Sequence, residues 1–254
     1  MGKIINKLFG INDLQELGEY YKTDKLDHNY LPHYKRAFEN LRYKNIKLIE
    51  IGVGGYSVPN AGGNSLRMWK EYFPKGFIYG IDIYDKSLLQ EERLKIFQGS
   101  QIDKKFLEGV IEYTGSPDII IDDGSHINKH IIETFKILFP FLSDGGIYAV
   151  EDTHTSYWPS FGGDSQDLNN PLTSMNFLKS LTDGLNSNNF LLPNRQRTYF
   201  DENIIEVSFY YGLVIIRKGK NNLKTNIVNN GILSENLNNL ANTLIEISNS
   251  KETP

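Results

Sequence analysis

The sequence contains no cysteine in its 254 residues. That absence excludes disulfide bonds, thiolate metal ligands and cysteine nucleophiles. Long apolar runs are also missing, since no stretch approaches the roughly 20 apolar residues that a membrane-spanning helix needs. The apolar run at the start, MGKIINKLFGINDL, is too short and too interrupted for a secretory signal. We therefore expect a cytoplasmic protein without a membrane span.

Positive charge is not in excess. The chain has 27 Lys and Arg residues against 31 Asp and Glu residues, a formal net charge of -4, and no dense basic cluster. Proteins that bind nucleic acid usually carry a basic face, so nucleic acid is not an expected partner. Hydrophobic residues make up 39% of the chain, which is enough for a sizeable core in one or two domains.

From residue 46 to residue 152, short apolar runs alternate with amphipathic segments. Alternating apolar strands and helices predict a parallel sheet covered by helices on both faces. A later run, IIEVSFYYGLVIIRKG, predicts two further strands around a turn near Gly212. The five strand candidates are IKLIEIG, GFIYGIDI, LKIFQGS, DIIIDDG and GIYAVED, and the helix candidates between them are NSLRMWKEYF, DKKFLEGVIEY and INKHIIETFKILFPFL.

The segments outside this alternation give weaker signals. The first 45 residues predict one helix capped by Asn12 or Asp13 and a second helix, LPHYKRAFENLR. Asn64 is the predicted cap of the helix after the first strand. Residues 153–171 predict a long loop, a kind of segment that is often functional in compact domains. SENLNNLANTLIEISNS predicts a helix in the tail.

The first strand ends in an acid and a run of glycines, LIEIGVGG. Glycines here let the backbone approach a cofactor closely, because no Cβ intrudes. The dinucleotide fingerprint G-x-G-x-x-G fails, since Ser57 stands at its last position. Asp82 ends the second strand and suits the ribose hydroxyls of either a nicotinamide dinucleotide or another nucleoside cofactor. A tight turn and a capping aspartate are the structural alternatives. An acid two residues before the first glycine resembles the first motif of class I S-adenosylmethionine-dependent methyltransferases.

Two acidic pairs end two later strands, Asp122–Asp123 and Glu151–Asp152. In a sheet of the methyltransferase type these strands are neighbours, so four carboxylates meet and raise one another's pKa unless a cation lies among them. Oxygen ligands favour Mg²⁺, with Mn²⁺ or Ca²⁺ as alternatives. Strand residues alternate in direction, so we assign Asp123, Glu151 and Asp152 to the metal and Asp122 to the cofactor or the loop. Capping of turns is the structural alternative.

His126 follows Asp123 by three residues, at the start of the next helix. A histidine side chain has an unperturbed pKa of about 6.5, so it can accept a proton near neutral pH. A bound metal makes a hydroxyl group a stronger acid. We therefore assign His126 as the general base. His154 follows the second acidic pair and is a candidate substrate contact.

Several blocks of the sequence together resemble one family. LIEIGVGGYSVPNAGGNSLRMWKEYF, IDDGSHINKH, VEDTHTSYWPSFGG and the earlier YYKTDKLDHNYLPHYKRAFENLR are similar to the metal-dependent sugar O-methyltransferases of macrolide biosynthesis, the mycinamicin and demethylmacrocin enzymes. The resemblance covers roughly residues 20–165. It implies a Rossmann-like class I methyltransferase fold, α/β, with a mostly parallel seven-stranded sheet, an antiparallel C-terminal hairpin strand and helices on both faces.

The resemblance also implies the site. It places the metal on Asp123, Glu151 and Asp152, makes His126 the base, and makes S-adenosylmethionine the cofactor. We divide the chain into a helical segment that caps the cofactor site (1–45), a methyltransferase domain (46–220) and a partly helical tail (221–254). The residues assigned to the cofactor are Thr23, Lys25, Glu50, Gly52, Gly54, Tyr56, Ser65, Asp82, Ser100, Gln101 and Asp122.

The acceptor implied by the resemblance is a small molecule that contains a sugar. The macrolide enzymes carry an additional N-terminal domain, whereas this chain begins close to the methyltransferase segment, so a nucleotide-linked or glycan sugar is an alternative to a glycosylated natural product. Tyr157 and Trp158 are candidates for stacking on a sugar ring, or for closing the core. A catechol-type acceptor, a nicotinamide-dependent dehydrogenase and a non-catalytic module are the other hypotheses. We expect a homo-oligomer.

Overall fold

The computed structural model describes residues 13–251. Within that range no helix is both long enough and apolar enough to cross a membrane. Short 3₁₀ helices cover Glu39–Leu41, Ser87–Leu89, Phe139–Phe141, Thr153–Tyr157, Pro159–Phe161 and Ser187–Asn189. The α-helices and strands are α1 (Leu14–Tyr21), α2 (Leu31–Phe38), β1 (Lys47–Ile51), α3 (Asn64–Tyr72), β2 (Phe77–Asp82), β3 (Leu94–Gln98), α4 (Lys104–Thr114), β4 (Ile119–Asp122), α5 (Asn128–Leu138), β5 (Ile147–Val150), α6 (Ser174–Leu185), α7 (Tyr199–Asn203), β6 (Ile204–Tyr210), β7 (Leu213–Lys218), β8 (Val228–Asn229), β9 (Ile232–Leu233) and α8 (Glu235–Lys251).

Seven of the strands described form one sheet in the order β3-β2-β1-β4-β5-β7-β6. Strands β1 to β5 pair in parallel, whereas β7 is antiparallel to both β5 and β6. The chain leaves β3 at one edge and returns to pair β4 with β1, so the strand order reverses between β1 and β4. A crevice opens at the carboxyl ends of the strands at such a reversal. The predicted mostly parallel sheet with an antiparallel C-terminal hairpin is confirmed.

The core lies on both faces of the sheet, because successive strand residues point to opposite sides. Leu48 packs in a cluster with side chains of α1, α2 and α3, including the fully buried Trp69. Its neighbour Ile49 packs in a second cluster with α4, α5 and α6, including Phe135. Helices therefore cover both faces, as predicted. The N-terminal helices share the first cluster with the sheet, and the division at residues 45 and 220 stays a prediction.

Three details differ from the sequence-based expectations or refine them. Asp13 caps α1 through its side chain, while Asn12 lies outside the described residues. Asn64 is the first residue of α3 and not its cap, because Gly63 occupies the left-handed cap position at φ +75°. The Asn64 side chain instead donates to the carbonyl of Lys22. The predicted loop after residue 152 contains two short 3₁₀ helices.

Candidate active site

A cavity of about 710 Å³ opens at the carboxyl ends of the parallel strands. Its position, over the reversal of strand order, is where open α/β sheets bind their ligands. Lys25, Glu50 and Asp122 do not line it, because they are buried beneath its floor. The residues assigned to the cofactor that do line it are Thr23, Gly52, Gly54, Tyr56, Ser65, Asp82, Ser100 and Gln101.

The glycine loop forms one wall of this cavity. Gly52 has φ +93°, and a Cβ at that position would lie 2.0 Å from the backbone oxygen of Asp123. Only glycine allows the ends of β1 and β4 to come so close. Asp82 then fixes the loop, since one carboxylate oxygen accepts the Val53 N–H at 2.9 Å and the other accepts the Tyr84 N–H at 2.9 Å. Asp82 therefore caps a turn and also lines the cavity.

Lys25 lies at the centre of a cluster of buried carboxylates. Its Nζ atom is 2.7 Å from Asp123 Oδ2, 3.0 Å from Glu50 Oε1 and 2.9 Å from Glu151. The Lys25 side chain is fully buried, as are those of Glu50 and, at 2% exposure, Glu151. Burial disfavours the charged ammonium, but the three carboxylates outweigh it and hold the pKa of Lys25 well above its usual value. Lys25 therefore acts as an internal counter-ion.

Hydrogen bonds complete the cluster. The indole N–H of Trp69 donates to Glu50 Oε2 at 2.7 Å, and the hydroxyl of Tyr34 donates to Glu151 Oε1 at 2.5 Å. Burial and the nearby Asp123 charge raise the pKa of Glu151 well above its ordinary value, and burial raises that of Glu50. Because three carboxylates share one ammonium, a bound proton or a further cation is needed to balance the charge of the cluster.

Three side chains converge on the cavity above this cluster: Asp123, His126 and Asp152. Each offers a ligand atom, and these atoms lie within 4.8 Å of one another. The His126 Nε2 atom is 3.9 Å from Asp123 Oδ1 and 3.7 Å from Asp152 Oδ2. His126 and Asp152 adopt left-handed backbone conformations, at φ +56° and +49°. Left-handed non-glycine residues are uncommon and concentrate at functional sites.

Glu151 does not join this group. It follows β5 directly and points into the protein, where Lys25 and Tyr34 bind its carboxylate. The next residue, Asp152, points into the cavity. The group that converges therefore contains His126 where the predicted metal set has Glu151. The role of Glu151 as a metal ligand stays a prediction, and it requires this carboxylate to exchange one of its present partners for the ion.

The N-terminal segment contributes side chains that the sequence analysis missed. The Tyr30 hydroxyl lies 2.8 Å from Asp152 Oδ1 and 3.0 Å from the carbonyl oxygen of Gly212, two acceptors for its single proton. His28 Nδ1 lies 3.5 Å from Asp152 Oδ1. Tyr30 and Tyr34 are four residues apart, a spacing that places two side chains on one face of a helix. From the sequence, that spacing could have indicated that the two tyrosines act together. It does not reveal which tyrosine hydroxyl contacts a carboxylate, because aromatic residues on an apolar helix face usually pack in the core.

Asp122 supports the loop after β4. Its Oδ1 accepts a hydrogen bond from the Gln101 amide at 3.1 Å, and the Gln101 carbonyl oxygen accepts the Ser125 N–H at 2.8 Å. Burial raises the pKa of Asp122 to about 7. Asp122, predicted to serve the cofactor or the loop, is buried under the loop, and its contact with the cofactor stays a prediction. The Gln101 side chain is engaged in the same support, so its contact with the cofactor stays a prediction.

The predicted substrate contacts lie just beyond Asp152. The rings of His154 and Trp158 meet edge to face with centroids 4.8 Å apart, and Trp158 also lies 5.9 Å from Phe161. Trp158 and Tyr157 are partly exposed, at 48% and 38%. His154, Tyr157 and Trp158 do not line the cavity described above. Their role toward an acceptor therefore stays a prediction.

Comparison with known proteins relates this site to sugar O-methyltransferases. No family model matches the chain. It is 45% identical over 212 residues to mycinamicin VI 2''-O-methyltransferase of Micromonospora griseorubida, over 82% of this chain and 53% of that protein. It is 44% identical over 214 residues to demethylmacrocin O-methyltransferase of Streptomyces fradiae, over 82% of this chain and 54% of that protein. A rhamnosyl-tetracenomycin C 3'-O-methyltransferase of Streptomyces olivaceus is 40% identical over 212 residues, again 82% of this chain and 54% of that protein.

A solved structure gives the same relationship. MycE methyltransferase from the mycinamycin biosynthetic pathway, in complex with Mg and SAH, superposes with a TM-score of 0.83 at 42% identity, over 91% of this chain and 59% of that one. The chain spans about half the length of the curated relatives that it matches. The chain is therefore a homologue of the mycinamicin and demethylmacrocin sugar O-methyltransferases, and it has the predicted Rossmann-like class I methyltransferase fold.

Proposed function

We propose that this chain transfers a methyl group from S-adenosylmethionine to a sugar hydroxyl, with a divalent cation and His126 at the acceptor. The observation that carries the proposal is the convergence of Asp123, His126 and Asp152 on the same cavity that the glycine loop lines. One cavity could thus hold the methyl donor beside the glycine loop and the acceptor beside the acidic residues. Relatives named as sugar O-methyltransferases support the same chemistry.

The donor set fits a hard cation. Asp123 and Asp152 offer carboxylate oxygens, which are ligands that Mg²⁺ prefers, with Mn²⁺ or Ca²⁺ as alternatives. Glu151 is the predicted third carboxylate. When bound there, a divalent cation would make an acceptor hydroxyl more acidic and orient it. Lys25 has a separate task, because it neutralises the buried side of Asp123 and so holds that carboxylate in place.

The cavity also fits a nucleoside cofactor. Gly54 has φ +77°, and a Cβ there would meet nothing closer than 3.9 Å, so the backbone is open to the cavity. The Asp82 carboxylate lies at the end of β2, where an acid accepts hydrogen bonds from ribose hydroxyls. Bound S-adenosylmethionine would supply an electrophilic methyl group. The segment with Thr23 lies over the same cavity and would shield the donor from water.

His126 is the proton acceptor in this proposal. Its imidazole lies at the cavity wall beside both carboxylates. Its backbone is held in the left-handed conformation by a hydrogen bond from the Thr155 hydroxyl to the His126 carbonyl, at 2.9 Å. A fixed imidazole near the acceptor takes the hydroxyl proton as the methyl group moves to oxygen.

The acceptor is a molecule that contains a sugar. The relatives are named as O-methyltransferases of mycinamicin VI, of demethylmacrocin and of a tetracenomycin C that carries a rhamnosyl group, so their acceptors differ. A glycosylated natural product is therefore the first class to test, followed by nucleotide-linked sugars and glycans. His154, Tyr157 and Trp158 are the proposed contacts on that side. The expected homo-oligomer and cytoplasmic location belong to the same proposal.

A mass-shift assay tests the proposal. The purified chain is incubated with S-adenosylmethionine, Mg²⁺ and a panel of glycosylated macrolides, sugar nucleotides and catechols. One acceptor that contains a sugar should gain about 14 daltons, the mass of a methyl group in place of hydrogen, and EDTA should abolish the gain. Methylation of catechols alone would contradict the sugar assignment. Methylation that survives EDTA would contradict the role of the metal.

A further inference from the structure

A second cavity, of about 410 Å³, is lined by residues from the segments 187–197 and 224–231. The chain leaves β7 at Lys218, next to Arg217, which pairs with Ile147 at the start of β5. It then reaches Asn221, whose side-chain amide donates to the carbonyl of Gly184 near the end of α6 at 3.2 Å. The second cavity is built on this segment, at the amino ends of the parallel strands. The proposed active site lies at their carboxyl ends, so the two cavities are separate.

The residues that line the second cavity include three cations, Arg195, Arg197 and Lys224, and no acid. One carboxylate, Asp201, lies beside them and pairs with Arg195 at 2.8 Å. Within the part of the chain that the structure describes, no other carboxylate forms an ion pair with any of these three cations. Two positive charges are therefore left over at the cavity wall, in a chain whose formal net charge is -4. A concentration of one charge sign in a concave surface attracts counter-ions.

Arg197 is held in place by neutral acceptors. Its Nε donates to the Ser187 hydroxyl at 2.9 Å, and its Nη2 donates to the carbonyls of Asp201 and Asn221, each at 2.6 Å. These bonds fix the guanidinium without neutralising its charge. The Arg197 side chain is also half-buried, so its guanidinium is positioned before any ligand binds.

Arg195 offers a donor that the protein does not use. Its guanidinium lies 4.6 Å from the centre of the Phe190 ring, and its Nη2 binds Asp201. The Nη1 atom is buried and has no hydrogen-bond partner among the residues that the structure describes. A buried donor left without a partner is costly and rare in native proteins. Arg195 lines the cavity, so a turn of its guanidinium toward an anion there would satisfy this donor.

We propose that the second cavity binds the phosphate group of a small phosphorylated molecule through Arg195, Arg197 and Lys224. Guanidinium groups match the oxygens of phosphate by paired hydrogen bonds, and the lysine adds a mobile point charge. The volume exceeds what one phosphate ion fills, and Phe190 and Leu192 give the remainder an apolar wall. The inference does not depend on the methyl transfer proposed above.

Isothermal titration calorimetry on the full chain tests the site, with inorganic phosphate, uridine diphosphate and uridine as the three probes. Phosphate or uridine diphosphate should bind, and uridine should not. If phosphate and uridine diphosphate bind with equal affinity, the site recognises the phosphate group alone. If uridine diphosphate binds more tightly, the site recognises an organic phosphate. Absence of binding at millimolar concentrations of both phosphate probes would overturn the proposal.

Matched variants locate the binding. Arg197→Gln should weaken it roughly tenfold or more, since hydrogen bonds to charged groups are lost. Lys224→Gln, at an exposed residue, should weaken it about threefold and leaves the fold intact even if the arginine variant does not fold. Arg217→Gln is the control, because this half-buried arginine of β7 pairs with Glu206 and does not line the cavity, and it should leave phosphate binding unchanged. Unchanged binding in Lys224→Gln, or equal loss in the control, would overturn the site. Binding of S-adenosylhomocysteine should be the same in all three variants.

Discussion

The Nζ atom of Lys25 lies 2.7 Å from Oδ2 of Asp123, although 98 residues separate them in the sequence. This ion pair joins the N-terminal segment to the end of β4 inside the protein. Because the same ammonium also binds Glu50 and Glu151, it links the strand that carries the glycine loop with the two strands that carry the acidic pairs. The buried ammonium of Lys25 therefore holds together the strands that carry the donor site and the proposed metal site.

Replacement of Lys25 should destabilise the fold strongly. In Lys25→Met the carboxylates of Glu50, Asp123 and Glu151 lose their buried counter-ion, which typically costs about 3–5 kcal/mol when one partner of a buried pair is removed. Urea unfolding measures the loss. Lys104→Met is the control, because Lys104 is exposed and should change the free energy of unfolding by less than about 0.5 kcal/mol. A loss below about 1 kcal/mol in Lys25→Met would show that the cluster does not need the ammonium.

His126 should be needed for turnover and not for binding of the donor. In His126→Asn the left-handed backbone is kept, since asparagine tolerates φ near the observed +56°, while the base is lost. The rate constant should fall roughly 10²- to 10⁴-fold. The affinity for S-adenosylhomocysteine, measured by calorimetry, should hardly change. His33→Ala on α2, where the ring stacks on Tyr210, is the control for losing an imidazole. Full activity in the asparagine variant would remove His126 from the mechanism.

Gly52 should tolerate no side chain. A Cβ there would lie 2.0 Å from the Asp123 backbone oxygen, and the residue has φ +93°, so Gly52→Ala forces β1 and β4 apart under the cavity. We expect a melting temperature several degrees lower and weaker binding of S-adenosylhomocysteine. Gly109→Ala is the matched control, because nothing lies within 4 Å of its added Cβ in α4. That change should stabilise the protein by about 0.5–1 kcal/mol. A stable, tightly binding Gly52→Ala protein would contradict the close approach.

Asp201 should stabilise the protein at neutral pH and lose that effect in acid. Burial raises its pKa, but hydrogen bonds from the Thr198 N–H and from Arg195 outweigh burial and hold the pKa below the ordinary 3.8. The unfolded chain therefore binds this proton first as the pH falls, so the stabilisation is present above about pH 4 and is lost below it. Asp201→Asn should cost about 1–3 kcal/mol at pH 7.

The difference between Asp201→Asn and the parent should shrink as urea unfolding is repeated below about pH 4. Asp144→Asn, at an exposed aspartate, is the control and should change the free energy of unfolding at pH 7 by less than about 0.5 kcal/mol. A difference that grows in acid would mean that the pKa of Asp201 is raised and not lowered.

The sheet and its strand-end residues were open to prediction, and the contacts between distant segments were not. The apolar run and the glycines that follow it identified β1, and the two acidic pairs identified the ends of β4 and β5. The sequence did not reveal that Lys25 is the counter-ion of that cluster, because a lysine in a polar stretch usually faces water. Nor did it reveal that Glu151 turns inward, since the residues after a strand no longer alternate regularly. Such features depend on which segments meet in three dimensions.

Anomalous diffraction tests the central claim most directly. Crystals of the chain grown with Mn²⁺ and S-adenosylhomocysteine should show one manganese peak that is coordinated by Asp123 and Asp152, with the thioether of the ligand in the same cavity. The same map shows whether Glu151 has left Lys25 to join the ion. A cavity that holds S-adenosylhomocysteine but no manganese, or manganese bound at another place, would contradict a metal-dependent methyl transfer at this site.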